Sequence, residues 1–418
     1  MKILLGLLIL SLLISCGLSD DPTPTETEPT TEPVSPDTAE AETIEPETTE
    51  PPTEEPTDPV AEIMAGMTLR QKIGQLFIIR PEGLDFSLDA YQVESDDYAL
   101  TELTDTAIQN LQDYPVGGFT LFTKNLIDPD QLNRLLEQLA GHLSLAPFIS
   151  VDEEGGLVTR LASHPAFDVP VFPNMALIAL SGDPDQAREA ALSIGDYLIR
   201  HGFNLNFAPV ADVNSNPDNP VIGERAFSSD PFIAAQMVEA AVQGFHDAGM
   251  MATLKHFPGH GDTATDTHYD TAVSYKTWAD MAAMELIPFE AGIKAGADMV
   301  MLAHILTPEV SGDDLPASLS PEIHRLLRQE LGFDGIIITD SLAMRAISDH
   351  FSPAETALLS FQAGNDIQLL PAHLPEAFDA LEQAITDGTI DEAELDERVR
   401  RILSLKLQYG LIEQASGA

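Results

Sequence analysis

Asp340 follows four consecutive β-branched residues, Ile336, Ile337, Ile338 and Thr339, so its carboxylate projects from the tip of a short buried strand. A rigid strand end suits a nucleophile whose placement must be accurate to a fraction of an ångström. Taken alone, the same pattern equally fits a carboxylate that caps the next helix. A second candidate group lies in the Gly-, Thr- and Asp-rich segment from His260 to His268, where Asp266 and His268 stand two positions apart. An Asp bonded to one ring nitrogen orients an imidazole and raises its basicity. The other nitrogen can then give a proton and later take one from water. A carboxylate nucleophile beside a group that serves first as acid and then as base is what retaining glycoside hydrolysis requires. The side chains of His256, His260, His268 and Asp262 leave a metal-dependent hydrolase open as well.

These residues need a scaffold that brings them together. Short apolar runs alternate with amphipathic helical stretches, the signature of repeated βα units. The runs are Ile73 to Ile79, Gly117 to Phe122, Phe148 to Val151, Phe203 to Ala208, Met251 to Lys255, Met299 to Ala303, Gly335 to Thr339 and Asp366 to Leu370. Eight is the number that closes a parallel barrel. Helices are expected over Pro129 to Leu143, Asp185 to Arg200, Pro231 to Ala248, Trp278 to Ala295, Pro321 to Leu331, Pro353 to Ala363 and Asp391 to Leu407. Unusual polar residues sit where the strands end: Asp152-Glu153-Glu154-Gly155-Gly156, Asp212, Lys255-His256, His304 and Asp340. In an α/β (β/α)8 TIM-type barrel all of these converge on one rim, where such enzymes place their chemistry. Asp212, Asn214 and Asn216 read as loop-shaping residues. No G-x-G-x-x-G fingerprint follows the first strand, which argues against a doubly wound nucleotide-binding sheet.

The string Lys255-His256-Phe257-Pro258-Gly259-His260-Gly261-Asp262-Thr263, followed by Asp266-Thr267-His268, closely resembles the signature of the β-N-acetylglucosaminidase branch of glycoside hydrolase family 3. The resemblance runs from about Met67 to Leu411 and includes Asn219 to Phe227 and Thr339 to Met344. It implies that Asp340 is the nucleophile and that Asp266 and His268 form the acid/base dyad. It implies further that Asp152, Arg160, Arg225, Lys255 and His256 hold the sugar before the scissile bond. The activity implied is retaining exo-hydrolysis of terminal β-linked N-acetylglucosamine from peptidoglycan fragments or chitin oligosaccharides, without cofactor or metal. Phosphorolysis of the same bond, or β-glucosidase activity within the family, is the alternative. Two departures stand out: Leu157 occupies a position usually held by Arg, and Thr267 one usually held by Ser.

The remaining sequence bounds the setting. Lys2 and the apolar run Ile3 to Ile14 form a secretory signal over residues 1–15. Leu13-Ile14-Ser15-Cys16-Gly17 resembles the lipobox of bacterial lipoproteins, with the sole cysteine, Cys16, as the lipidated residue. Residues 16–60 are rich in Pro, Thr and Glu and nearly free of large apolar side chains, so a disordered tether is expected. The catalytic domain then spans residues 61–418. The net charge is -48; residues 1–60 hold 14 of the 68 acidic residues and one of the 20 basic ones, leaving -35 on the remainder. Such a surface argues against nucleic acid as a partner. The expectation is an extracytoplasmic monomer, anchored to a bacterial membrane through Cys16, that acts on an oligosaccharide.

Overall fold

The computed structural model describes residues 58–264, 267 and 272–413. The expected signal peptide, Cys16, Asp266 and His268 lie outside the described residues, as does all but the last three residues of the expected tether. The strands are β1 (Phe77–Ile79), β2 (Gly118–Thr120), β3 (Phe148–Val151), β4 (Leu205–Asn206), β5 (Met251–Phe257), β6 (Ala272–Val273), β7 (Met299–Leu302), β8 (Ile305–Leu306), β9 (Ile336–Thr339) and β10 (Gln368–Leu369). Eight form one sheet in the order β10-β1-β2-β3-β4-β5-β7-β9, with every pairing parallel. A parallel bridge between Ile338 and Ile367 joins its two ends, so the sheet closes into the expected (β/α)8 barrel. The short pair β6 and β8 stands apart from the ring.

Strand alternation sorts the apolar residues into two layers. Phe77, Ile79, Leu254, Val300 and Ile337 pack outward in the layer shared with the helices. Ile78, Phe148, Leu205, Met251, Met299, Ile336 and Ile338 fill the barrel interior. The C-terminal helix Glu392–Gln408 contributes Ile402 and Leu405 to that interior cluster. Helix starts follow the capping pattern: Asp128, Asp183 and Asp230 each accept backbone N–H groups at a helix that opens with Pro.

Several elements differ from the sequence reading. Leu69–Gln75 is a helix capped by Thr68, so β1 begins at Phe77 rather than Ile73. A short, mostly apolar run does not reveal where a buried helix gives way to a buried strand. The stretch Trp278 to Ala295 is two helices, Trp278–Ala282 and Leu286–Lys294. Pro288 cannot donate a hydrogen bond to the preceding turn, which puts the break just ahead of it. A helix absent from the expectations, Leu374–Thr386, follows β10.

Lys406 is fully buried, although it lies on the same helix as the interior residues. Its ammonium donates to Gln75 Oε1 at 2.8 Å and to the Gly117 carbonyl at 2.9 Å, and lies 4.7 Å from the Phe148 ring centroid. Burial pushes its pKa down to about 7. Between that value and the ordinary 10.5, the unfolded chain holds a proton that the folded chain has released, so this group makes stability rise with pH. Lys406→Met should remove that rise. Thermal melts of both chains at pH 6 and pH 9 check it, and identical pH slopes would refute the assignment.

Candidate active site

The carboxyl ends of the strands open into a cleft of about 410 Å³. Asp152, Arg160, Arg225, Lys255, His256 and Asp340 all line it, so every site candidate among the described residues comes to one place. Thr267, the covalent neighbour of both Asp266 and His268, also lines the cleft.

The turn after β3 supplies the first wall. Gly155 and Gly156 have φ of 94° and 61°, a backbone region in which L side chains are strained. A Cβ on Gly156 would lie 2.0 Å from Asn174 Oδ1. The turn brings Arg160 back toward Asp152, with Nη2 3.6 Å from Oδ2. Glu153 faces away from the cleft and is buried. Its carboxylate accepts the N–H groups of Arg160 (2.6 Å), Leu161 (3.0 Å) and Ala162 (2.9 Å) and the Tyr197 hydroxyl (2.8 Å). Asn206 on β4 pairs its side-chain amide with the Glu153 backbone at 3.0 and 2.9 Å, which fixes the turn to the neighbouring strand.

The cleft floor is a cluster of opposed charges. Lys255 Nζ lies 2.8 Å from Asp152 Oδ1 and 2.6 Å from Glu154 Oε1. Arg225 grips Glu154 in two parallel bonds, Nε to Oε2 at 2.9 Å and Nη2 to Oε1 at 2.7 Å. Burial acts to raise the Glu154 pKa, but Arg225 and Lys255 outweigh it and hold the carboxyl well below the usual range. Burial likewise acts to lower Lys255, and Asp152 and Glu154 reverse it, so the ammonium stays charged.

Adjacent strand residues normally face opposite ways, yet Lys255 and His256 both line the cleft. The register with β7 shifts between Leu254 and Phe257, and such an irregularity re-aims a side chain. Asp212, fully buried, then holds the segment: Oδ2 lies 2.7 Å from His256 Nδ1 and accepts the His256 N–H at 3.2 Å, while Oδ1 accepts the His260 N–H at 2.6 Å. His256 Nε2 is left toward Arg225 Nη2, 3.4 Å away. The His260 ring spans two hydroxyls, Thr263 Oγ1 at 2.7 Å from Nδ1 and Thr267 Oγ1 at 3.2 Å from Nε2. Burial and the neighbouring His256 lower the His260 pKa.

Asp340 stands at the end of β9, its N–H bonded to the Leu302 carbonyl at 2.9 Å and its Oδ1 accepting the Ser341 N–H at 2.7 Å. His304 braces the same turn by donating from Nε2 to the Ser341 carbonyl at 2.8 Å, and its Nδ1 lies 2.7 Å from Ser318 Oγ. Among the described residues no group of three or more His, Cys, Asp or Glu side chains is placed to hold a metal ion. Reasoning from the sequence missed Glu154 as the centre of the charge cluster and assigned Asp212 only to loop shape. The signal for Glu154 was its place in a run of three acids at a strand end, which does not say which acid turns inward.

A closed parallel barrel with carboxylates and fixed cationic donors gathered in one cleft at the strand ends has the architecture of a TIM-barrel enzyme. The chain belongs to glycosyl hydrolase family 3: residues 68–405 match the sequence profile of the glycosyl hydrolase family 3 N-terminal domain. It is 37% identical over 301 residues to a β-hexosaminidase of Stenotrophomonas maltophilia, covering 71% of this chain and 87% of that one. It is 32% identical over 407 residues to the β-hexosaminidase LpqI of Mycobacterium tuberculosis, covering 95% and 94%. The solved family 3 β-N-acetylglucosaminidase of a Paenibacillus species superposes with a TM-score of 0.75 at 38% identity, over 84% of this chain and 64% of that one. The chain also spans 56% of the length of the β-hexosaminidase A of Pseudoalteromonas piscicida.

Because Glu154 neutralises two cations that have left water, its removal strands Arg225 and leaves Lys255 with Asp152 alone. Glu154→Ala should cost about 3–5 kcal/mol of stability, the scale of a broken buried ion pair. Urea unfolding measures it; a loss below about 1 kcal/mol, as for a surface pair, would contradict the arrangement.

Proposed function

We propose that the chain is a retaining exo-β-N-acetylglucosaminidase that releases terminal β-linked N-acetylglucosamine from peptidoglycan fragments or chitin oligosaccharides. Its similarity to β-hexosaminidases over nearly the whole chain supports the substrate class. The observation that carries the mechanism is the strand-fixed Asp340 in one cleft with Asp152, Arg160, Arg225, Lys255 and His256. In this reading Asp152 accepts sugar hydroxyls, while Lys255, Arg160, Arg225 and His256 orient the ring and its N-acetyl group. Asp340 attacks the anomeric carbon as the bond to the leaving oxygen breaks, and His268, oriented by Asp266, gives that oxygen its proton. Water then displaces Asp340 from the anomeric carbon and returns a proton to His268. The position of Thr267 in the cleft supports this role for its neighbours, since consecutive Cα atoms are about 3.8 Å apart.

Asp340→Ala should lower turnover of an aryl β-N-acetylglucosaminide by roughly 10⁴-fold or more, the scale of losing a covalent nucleophile. Near-normal release of the chromophore by that variant would remove the assignment. Running the wild-type reaction with and without phosphate separates hydrolysis from phosphorolysis, because sugar 1-phosphate forms only in the latter.

The setting is part of the same proposal. A lipid on Cys16 would hold the enzyme at the outer face of a bacterial membrane, as the Leu13 to Gly17 string and the run before it suggest. Cys16→Ser should move the protein from the membrane fraction to the soluble fraction after cell lysis. Unchanged fractionation would rule the anchor out.

A further inference from the structure

His260 is 2% exposed and lines the cleft with His256 and Asp340, yet the mechanism above gives it no step. Its backbone is fixed from two sides: Asp212 Oδ1 accepts its N–H at 2.6 Å, and its carbonyl accepts from Asn219 Nδ2 at 2.8 Å. Asn219 Nδ2 also donates to the Thr263 carbonyl at 2.9 Å. Gly261 keeps the chain pressed to the segment after β4, since a Cβ there would lie 1.8 Å from the Val213 carbonyl oxygen. Further along the chain, β6 pairs in parallel with β8, and Lys276 Nζ reaches Asp262 Oδ1 at 3.3 Å and the buried Glu285 carboxylate.

The imidazole extends from this fixed backbone to Thr267, the residue between Asp266 and His268. Nδ1 lies 2.7 Å from Thr263 Oγ1, and Nε2 lies 3.2 Å from Thr267 Oγ1. A hydroxyl can donate or accept, so the two threonines satisfy both nitrogens in either tautomer of the neutral ring. Burial and the neighbouring His256 lower the His260 pKa. A ring with both nitrogens engaged and its charged form disfavoured is suited to holding a neighbour rather than to carrying a proton. Thr267 is itself 1% exposed, so losing its partner leaves a buried polar group unpaired, at a cost in free energy.

A general acid acts only from within hydrogen-bond reach of the leaving oxygen, and an error of about 1 Å can cost roughly 10²-fold in rate. Consecutive Cα atoms are about 3.8 Å apart, so a hydroxyl fixed on Thr267 restricts both of its neighbours. We propose that His260 is a positioning residue for the acid/base dyad, acting through the Thr267 hydroxyl on Asp266 and His268. The inference rests on the glycosidase reading and names what orients the proton-transfer groups within it.

Leaving-group acidity tests it on the full chain, because kcat/KM reports the step in which the aglycone departs. A dinitrophenolate leaves without a proton, whereas a phenolate needs one from the acid. Two variants remove the bond: Thr267→Val, which keeps the shape, and His260→Asn, whose amide can replace Nδ1 but is too short to reach Thr267. Each should lower kcat/KM for phenyl β-N-acetylglucosaminide roughly ten- to hundredfold, a part of what a positioned acid contributes. The dinitrophenyl glycoside should be affected little, and inhibition by free N-acetylglucosamine should stay the same, because the groups that hold the sugar are unchanged. Thr267→Ser keeps the hydroxyl and should recover most of the rate. The double variant should lose no more than either single one, since both remove one bond. Melting curves confirm that each variant folds. Equal losses on both glycosides, no loss on either, or losses that multiply in the double variant would overturn the proposal. His268→Ala sets the scale: a loss in that variant that does not depend on the leaving group would instead defeat the acid/base assignment, and wild-type turnover of neither glycoside would defeat the glycosidase reading, each taking this inference with it.

Discussion

Lys255 is 2% exposed in the mouth of a barrel whose interior packs a cluster of apolar side chains, and a lone ammonium there would deprotonate or drag water inward. Asp152 and Glu154 prevent both, and Glu154 in turn is shared with Arg225. This closed set of opposed charges constrains the rest of the site. The β3 turn must return two carboxylates to the axis, the β5 strand must shift register to aim Lys255 inward, and the segment carrying Arg225 must reach across to β3. Fixed charges in a site that excludes water interact strongly and need no rearrangement when a substrate arrives.

A second set of contacts does the positioning. Asp212 splits its two oxygens between His256 and His260, and His260 passes the constraint to Thr263 and Thr267 through its ring. Glu153 does the same for the segment holding Arg160. Each buried carboxylate is therefore satisfied by several donors from one loop, which is how a turn outside regular structure gains rigidity. Arg80 and Arg160 are the exceptions on the cleft wall, since the donors of Arg80 meet only long contacts and Arg160 Nε is buried with no hydrogen-bond partner.

Much of this was legible in the residues. Ile336, Ile337, Ile338 and Thr339 could be little other than a buried strand, and the polar residues at the ends of five of the eight runs already placed the site on one rim. Ile73 was misread as a strand start because a mostly apolar run shared by a helix and a strand does not mark the change, and the break inside Trp278 to Ala295 was missed although Pro288 signals it. Glu153 and Glu154 could not be told apart, although one binds a loop and the other balances two cations.

By itself, the sequence determined the repeat of βα units, the strand-end positions of Asp152, Lys255, His256 and Asp340, and the family signature, because these are local or periodic properties of the chain. Tertiary structure alone decided which carboxylate neutralises which cation, that Asp212 braces two histidines, and that Arg80 faces the cleft with few partners. Those outcomes depend on distances between segments tens to hundreds of residues apart, and such distances are set only when the barrel closes.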